Sequence, residues 1–232
     1  MALIHMGCVS LKPAKARVSS RTASSLSSSR VVLHYFDLYG RAEVLRMLLK
    51  AHSVDFEDHR FGSEEWIRLK PKAEFQVCPL LEVEGKTLCE TRAILRFLCM
   101  RKDLYPSNPK EIYLCESLCD FVDDLRLPLI DAARTSDIDK MMKAQAALPQ
   151  RLLALEKRLK RKQGSPLAYF HGKAAGMADF LVFNFLWDNF LSPERKEDRA
   201  ELVPKALVEF AERMLGNSAL RRYLEHRPLR PY

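Results

Sequence analysis

The stretch from Val31 to Leu49, VVLHYFDLYGRAEVLRMLL, determines the fold class of this chain. Its first six residues suit a buried strand, a turn closes at Gly40, and apolar residues recur at helical spacing from Arg41. A strand that runs directly into a helix delivers its last side chains to a sheet edge, beside the positive end of the helix. The stretch therefore predicts an anion-binding edge, with Tyr35 as its chemical residue and Arg41 as the cation that polarises it. The competing interpretation of Tyr35 is an ordinary strand aromatic.

Composition and charge exclude several classes of protein. The chain has 232 residues, of which 47% are hydrophobic, and this is enough for one large or two small domains with their own cores. No apolar run approaches the length of a membrane span. The net charge is +8, but five of the positive charges lie in the first 30 residues, which contain no acidic residue. The rest is too weakly basic for a nucleic-acid surface, and we predict no nucleic-acid partner.

The cysteines indicate a reducing compartment. They form no CxxC pair and have no histidine partners at zinc spacing. Several fall in apolar helical patterns, which is typical of buried, reduced thiols. We therefore predict a cytoplasmic protein. The six residues are Cys8, Cys78, Cys89, Cys99, Cys115 and Cys119.

Residues 1–30 are basic and serine-rich, and they predict a disordered or targeting leader that takes no part in the fold. One interpretation is an organellar transit peptide. A second starts at Met6, so that Gly7 receives a myristoyl chain and Cys8 a palmitoyl chain, which would anchor the protein to a membrane. Leu11 then stands where that signal usually has Ser or Thr. The third interpretation is an inert tail.

Residues 31–104 predict a first, α/β domain. The segment SVDFEDHRF at 53–61 alternates like a short strand, and Glu84-Gly85 joins two further strands as a hairpin. A helix follows from Glu90 to about Arg101. The order strand, helix, strand, hairpin, helix is the outline of a thioredoxin-like domain.

Residues 108–232 predict a second, all-helical domain. A long helix starts at Lys110, and a second one is expected from about Ile138 to Lys162. The run from Met177 to Trp187 is apolar almost all round, which predicts a buried helix. Gly176 precedes it as a cap that lacks a side-chain acceptor.

Three segments of the chain resemble the cytosolic glutathione transferases of the tyrosine type. They are YF…GRAE…R at Tyr35 to Arg46, VCPLLEVEGKTL around Pro79, and ETRAILRFL from Glu90. The first, with the EDHR and EEW segments that follow it, is most similar to the sigma class, which includes haematopoietic-type prostaglandin D synthases. The resemblance implies a thioredoxin-like domain followed by an all-α domain, a homodimer, and conjugation of glutathione to small hydrophobic electrophiles.

The resemblance also implies the glutathione-binding residues. The Tyr35 hydroxyl would donate to the glutathione thiolate, and Arg41 would reinforce it. By the same resemblance, Trp66 and Lys70 would hold the glycyl end of glutathione. Main-chain groups of Val77 and Cys78, which precede a cis Pro79, would pair with the cysteinyl part. Glu90 and Thr91 would hold the γ-glutamyl end, and Asp124 would reach its ammonium group across the dimer interface.

Two residues depart from the family pattern. Glu90 replaces the usual glutamine and adds negative charge near a ligand carboxylate, which Arg92 is expected to offset. Cys78 stands where an aliphatic residue is usual. Its thiol is either a small apolar filler or a partner for a mixed disulfide with glutathione.

The resemblance further implies an electrophile pocket and a metal site. The pocket would be bordered by Leu38, Tyr39, Asp123, Arg126, Leu181 and Phe185. Asp120, Asp123 and Asp124 share one helix face, where Mg²⁺ or Ca²⁺ at the dimer interface competes with a plain solvated stripe. The alternative functions are an isomerase of the prostaglandin D synthase type and a non-catalytic carrier or crystallin-like structural protein.

Overall fold

The computed structural model of the chain describes residues 30–161, 169–170, 172 and 174–230. The leader predictions for residues 1–29, including acylation at Gly7 and Cys8, therefore lie outside the described residues. None of the described helices is both long enough and apolar enough to cross a membrane.

A four-stranded sheet forms the first domain, in the order β2, β1, β3, β4. β1 is parallel to β2 and antiparallel to β3, and it lies between them, so four of its six residues are buried. The hairpin predicted at Glu84-Gly85 is confirmed, and both residues have the positive φ that the tightest hairpin turn requires. The strands are β1 (Val31–Phe36), β2 (Glu57–Phe61), β3 (Leu80–Val83) and β4 (Lys86–Cys89).

Three helices complete this domain. The first begins after a single turn of 3₁₀-helix, Gly40–Ala42, and nearly all of its residues are buried, in part because helices of the second domain pack against it. The helices are α1 (Glu43–Ala51), α2 (Ser63–Leu69) and α3 (Thr91–Arg101). A further 3₁₀ turn, Lys70–Lys72, follows α2.

The second domain is helical, as predicted, and the combination of a thioredoxin-like domain with an all-α domain is confirmed. Its long helix α4 packs against α7, and α7 with α10 covers α1 of the first domain. All ten residues of α7 are buried, as its apolar sequence predicts. The described helices are α4 (Pro109–Thr135), α5 (Ile138–Ala146), α6 (Leu148–Lys160), α7 (Met177–Leu186), α8 (Pro193–Arg199), α9 (Lys205–Met214) and α10 (Ser218–His226).

The prediction of one continuous helix from Ile138 to Lys162 is wrong. The structure divides this segment into α5 and α6, which meet at Ala147. Pro149 lies in the first turn of α6, where its missing N–H costs nothing, whereas in a continuous helix its ring would clash with the carbonyl of the preceding turn. The apolar periodicity runs through this break and so conceals it.

Candidate active site

Tyr35 lies near the end of β1 and is 7% exposed. Its hydroxyl oxygen accepts a hydrogen bond from the backbone N–H of Arg41, at 3.1 Å. Burial raises the pKa of Tyr35, and this N–H only partly opposes the rise. The phenol is therefore protonated at neutral pH, and because the Arg41 N–H takes one lone pair, the hydroxyl proton remains available for donation.

Arg41 acts on Tyr35 in two ways, of which the sequence predicted one. Its side chain is exposed, and its charge lowers the pKa of Tyr35, as expected for a polarising cation. Its main-chain N–H makes the direct contact with the Tyr35 hydroxyl oxygen, and a pattern of side chains does not predict such a main-chain contact.

Gly40 brings the turn close to the tyrosine. It has a φ of +45°, and a Cβ atom there would lie 2.5 Å from Leu38 Cδ1 and 2.7 Å from the Tyr35 hydroxyl oxygen. The turn therefore needs a glycine both for its backbone conformation and for space.

We expect Gly40→Ala to lower the rate of the conjugation that the sequence resemblance implies about tenfold, because the new methyl group displaces the Tyr35 hydroxyl by an amount equivalent to about 1.4 kcal/mol of barrier. Alanine also disfavours the left-handed backbone conformation at this position, which should lower the free energy of unfolding by about 1 kcal/mol. The matched control is Gly85→Ala, where φ is +71° but no atom lies within 4 Å of the added Cβ. Thermal unfolding and initial rates check this, and equal activity of the two variants would contradict the steric argument.

A buried arginine holds the turn after β1 in place. Arg46 is fully buried, and its Nη1 donates to the carbonyl of Leu38 at 3.0 Å and to Glu43 Oε2 at 3.1 Å. Its Nε donates to Asp58 at 2.9 Å. These contacts tie the loop after β1 to α1 and to β2.

Glu43 is the centre of a buried charge cluster at the domain interface. Its Oε1 accepts from Arg227 at 2.7 Å and from the Tyr223 hydroxyl at 2.9 Å. Arg227 also donates to Asp188 at 3.0 Å. Burial raises the pKa of Asp188 to about 7, although Arg227 opposes the rise. The sequence patterns considered above did not predict this cluster, although Glu43 and Arg46, at i and i+3 within an apolar helix, were a visible signal of it.

Four of the predicted glutathione-binding residues, Trp66, Lys70, Val77 and Pro79, lie in the segment that joins β2 to β3. Trp66 is half-buried and stacks on Phe61 with ring centroids 5.6 Å apart. Lys70 is exposed, and Val77 is half-buried beside Trp66 in a small apolar cluster. The cis peptide predicted before Pro79 is present.

Cys78 is half-buried within electrostatic reach of Tyr35. Burial raises the pKa of its thiol to about 11, against the opposing charge of Arg41. A protonated thiol is a poor nucleophile, so of the two sequence interpretations the apolar filler agrees better with this environment.

The start of α3 offers free backbone donors. Glu90 precedes the helix with a φ of +70° and is exposed, and Thr91 is its first helical residue. No side chain of the described residues caps this first turn. Its N–H groups and the helix dipole therefore suit a carboxylate.

The prediction that Arg92 offsets Glu90 is wrong, because Arg92 turns to α4. It forms ion pairs with Glu116 and Asp120, and with Asp123 at 3.4 Å. Two of the three aspartates proposed as metal ligands thus already have a cationic partner, while Asp124 is exposed. In the described part of the chain no group of three acidic, histidine or cysteine side chains is arranged to hold a metal, so the predicted Mg²⁺ or Ca²⁺ site is not supported.

The electrophile-pocket prediction separates into two groups. Leu181 and Phe185 are each 1% exposed and belong to the core, so neither lines an open cleft. Tyr39 is also buried: Arg227 lies 4.0 Å from its ring centre, and its hydroxyl donates to the Pro228 carbonyl at 3.2 Å. For these three the prediction is wrong, because an apolar pattern does not distinguish a pocket wall from a core. The residues that keep accessible surface are Leu38, Asp123 and Arg126.

The two domains and the tyrosine at the sheet edge define a fold of the glutathione transferase class. A family model described as the glutathione S-transferase N-terminal domain matches residues 31–99, and one described as the C-terminal domain matches residues 123–227.

Individual relatives agree with these matches. Glutathione S-transferase 1 of Ascaris suum is 33% identical over 86% of this chain and 98% of its own. Hematopoietic prostaglandin D synthase of Gallus gallus is 30% identical over 84% and 96%. The crystal structure of the glutathione S-transferase from Ascaris lumbricoides superposes with a TM-score of 0.72 at 30% identity, covering 88% of this chain and all of that one. The chain therefore belongs to the glutathione S-transferase family of enzymes.

Proposed function

We propose that this enzyme conjugates the thiolate of glutathione to small hydrophobic electrophiles, and that the Tyr35 hydroxyl stabilises the thiolate. The observation that carries the proposal is the hydrogen bond from the Arg41 N–H to the Tyr35 oxygen, at 3.1 Å. It orients a buried, protonated phenol so that its proton can be donated to a sulfur atom at the sheet edge.

The energetics of this arrangement are sufficient. A free thiol has a pKa of about 8.5, so only a few per cent is ionised at neutral pH. Lowering this pKa by about two units requires about 2.7 kcal/mol of preferential binding of the anion. One charge-assisted hydrogen bond supplies about 1.5–3 kcal/mol, so a single tyrosine hydroxyl is enough.

The rest of glutathione would extend along the same edge. The glycyl carboxylate is assigned to Trp66 and Lys70, and the cysteinyl backbone to main-chain groups of Val77 and Cys78. The γ-glutamyl carboxylate is assigned to the free N–H groups at the start of α3, at Glu90 and Thr91, because this turn lacks a side-chain cap. Asp124 is exposed on α4 and is assigned to the γ-glutamyl ammonium of glutathione bound to the partner subunit of a homodimer.

The class of the enzyme, its domain bounds and its cellular location are further parts of the proposal. We assign it to a sigma-like class, with domains at 31–104 and 108–232 and a cytoplasmic location unless the leader directs it to an organelle or a membrane.

Because one similar protein is named a prostaglandin D synthase, glutathione-dependent isomerisation is the second candidate function. A non-catalytic carrier or crystallin-like protein is the third, and the retained Tyr35 and Arg41 argue against it.

A binding and turnover experiment separates these candidates. The purified chain should be retained on immobilised glutathione and should conjugate 1-chloro-2,4-dinitrobenzene faster than the uncatalysed reaction. Retention without turnover of this substrate or of a wider electrophile panel would indicate a carrier or structural protein. Turnover of a prostaglandin endoperoxide alone would indicate the isomerase.

A further inference from the structure

Arg126 projects from α4 and acts electrostatically on the candidate catalytic residue. Its charge lowers the pKa of Tyr35, and it feels the charge of Arg41 in turn. The side chain is half-buried, so part of it remains accessible. Arg126 lies where α4 packs against α7, and α7 also covers α1, the helix that follows the Tyr35 turn.

This guanidinium group is poorly partnered. Among the described residues its hydrogen bonding is limited to one long contact, from Nη1 to Asn184 Oδ1 at 3.4 Å, and no carboxylate lies within ion-pair distance. Asp123, one turn earlier on α4, pairs with Arg92 instead. A guanidinium has five N–H donors, so one that makes a single long hydrogen bond within the described chain keeps donors available for a ligand.

The contact between Arg126 and Asn184 is itself held in place. Asn184 is buried in α7, and its Nδ2 donates to Asp188 Oδ2 at 2.6 Å, which directs its Oδ1 to Arg126. Because Asn184 is neutral, it orients the guanidinium without cancelling its charge. Burial accordingly lowers the pKa of Arg126, even though Asp123 and Asp188 oppose this at longer range.

We propose that Arg126 is a specificity-determining residue that binds a carboxylate on the electrophile, so that the enzyme prefers electrophiles that carry an anionic group apart from their reactive centre. This inference rests on the proposed function, since it names the substrate class of the same site. An arginine can hold a carboxylate through two parallel hydrogen bonds, which orients the substrate as well as attracting it.

The test compares two electrophiles that share one reactive group. Ethacrynic acid and its methyl ester carry the same enone, and their uncatalysed rates with glutathione correct for intrinsic reactivity. We expect the wild-type enzyme to prefer the acid. Arg126→Gln should lower kcat/KM for the acid about tenfold, equivalent to about 1.4 kcal/mol, and change the value for the ester less than about twofold. Arg126→Lys should recover part of the preference, since it keeps the charge but loses the planar fork.

The control variant is Arg134→Gln, which makes the same change at an exposed position near the end of α4 and should leave the acid-to-ester ratio unchanged. The ratio is measured within each variant, so it does not depend on how much protein is folded. Equal losses for acid and ester would mean that Arg126 acts on the thiolate, and an unchanged ratio would mean that it binds no substrate anion. Either result overturns the inference while the ester reaction still supports the transferase. If the wild type conjugates neither compound nor 1-chloro-2,4-dinitrobenzene, the proposed function fails and the inference fails with it.

Discussion

Tyr35→Phe is expected to lower the rate of conjugation about ten- to a hundredfold, equivalent to about 1.4–2.7 kcal/mol, with little change in glutathione affinity. The ring is buried and packs edge-on against Phe36, with centroids 5.8 Å apart, so the phenylalanine keeps the packing. Only the donor to the thiolate and the acceptor for the Arg41 N–H are lost. Initial rates with 1-chloro-2,4-dinitrobenzene and titration of glutathione measure the two effects separately.

The pKa of the thiol of bound glutathione tests the role of Tyr35 more directly than the rate does. Thiolate absorbance of bound glutathione, followed against pH, should show a higher apparent pKa in Tyr35→Phe than in the wild type. Tyr39→Phe is the control, because its hydroxyl is buried and donates to the Pro228 carbonyl. A fully active Tyr35→Phe enzyme would refute the assignment.

Glu43→Gln is expected to lower the free energy of unfolding by about 3 kcal/mol or more, the largest stability effect that we predict. Glu43 and Arg46 are fully buried, and Arg227 is nearly so. The substitution removes the carboxylate that the two guanidinium groups share in a region from which water is excluded, so Asp58 and Asp188 remain as their only acidic partners among the described residues. Denaturant unfolding at one fixed protein concentration measures the change.

The matched control is Glu57→Gln. Glu57 pairs with Arg30 at 2.7 Å, the same separation as Glu43 and Arg227, but both partners are exposed. Solvent screens an exposed ion pair, so the unfolding midpoint of Glu57→Gln should equal that of the wild type. Equal destabilisation of the two variants would show that burial does not control the strength of these pairs.

Local patterns were sufficient for the fold class and for the centre of the candidate site. The apolar run before Gly40, the Glu84-Gly85 hairpin and the uniformly apolar α7 each predict their element because hydrophobic periodicity and turn chemistry act over a few residues. The same patterns misled where a single residue overrides the period, as Pro149 does between α5 and α6. They also misled for Leu181 and Phe185, since a core and a pocket wall have the same composition.

The sequence by itself determined the thioredoxin-like and helical domains and the position of Tyr35 at a sheet edge, because these depend on neighbours along the chain. Only the tertiary structure decided that Arg92 pairs with α4, that Glu43 meets Arg227, and that no carboxylate in the described part of the chain pairs with Arg126. The physical reason is distance along the chain: Glu43 and Arg227 are 184 residues apart. The strength of a charge pair depends on how much water the packed domains exclude, and no local pattern encodes that.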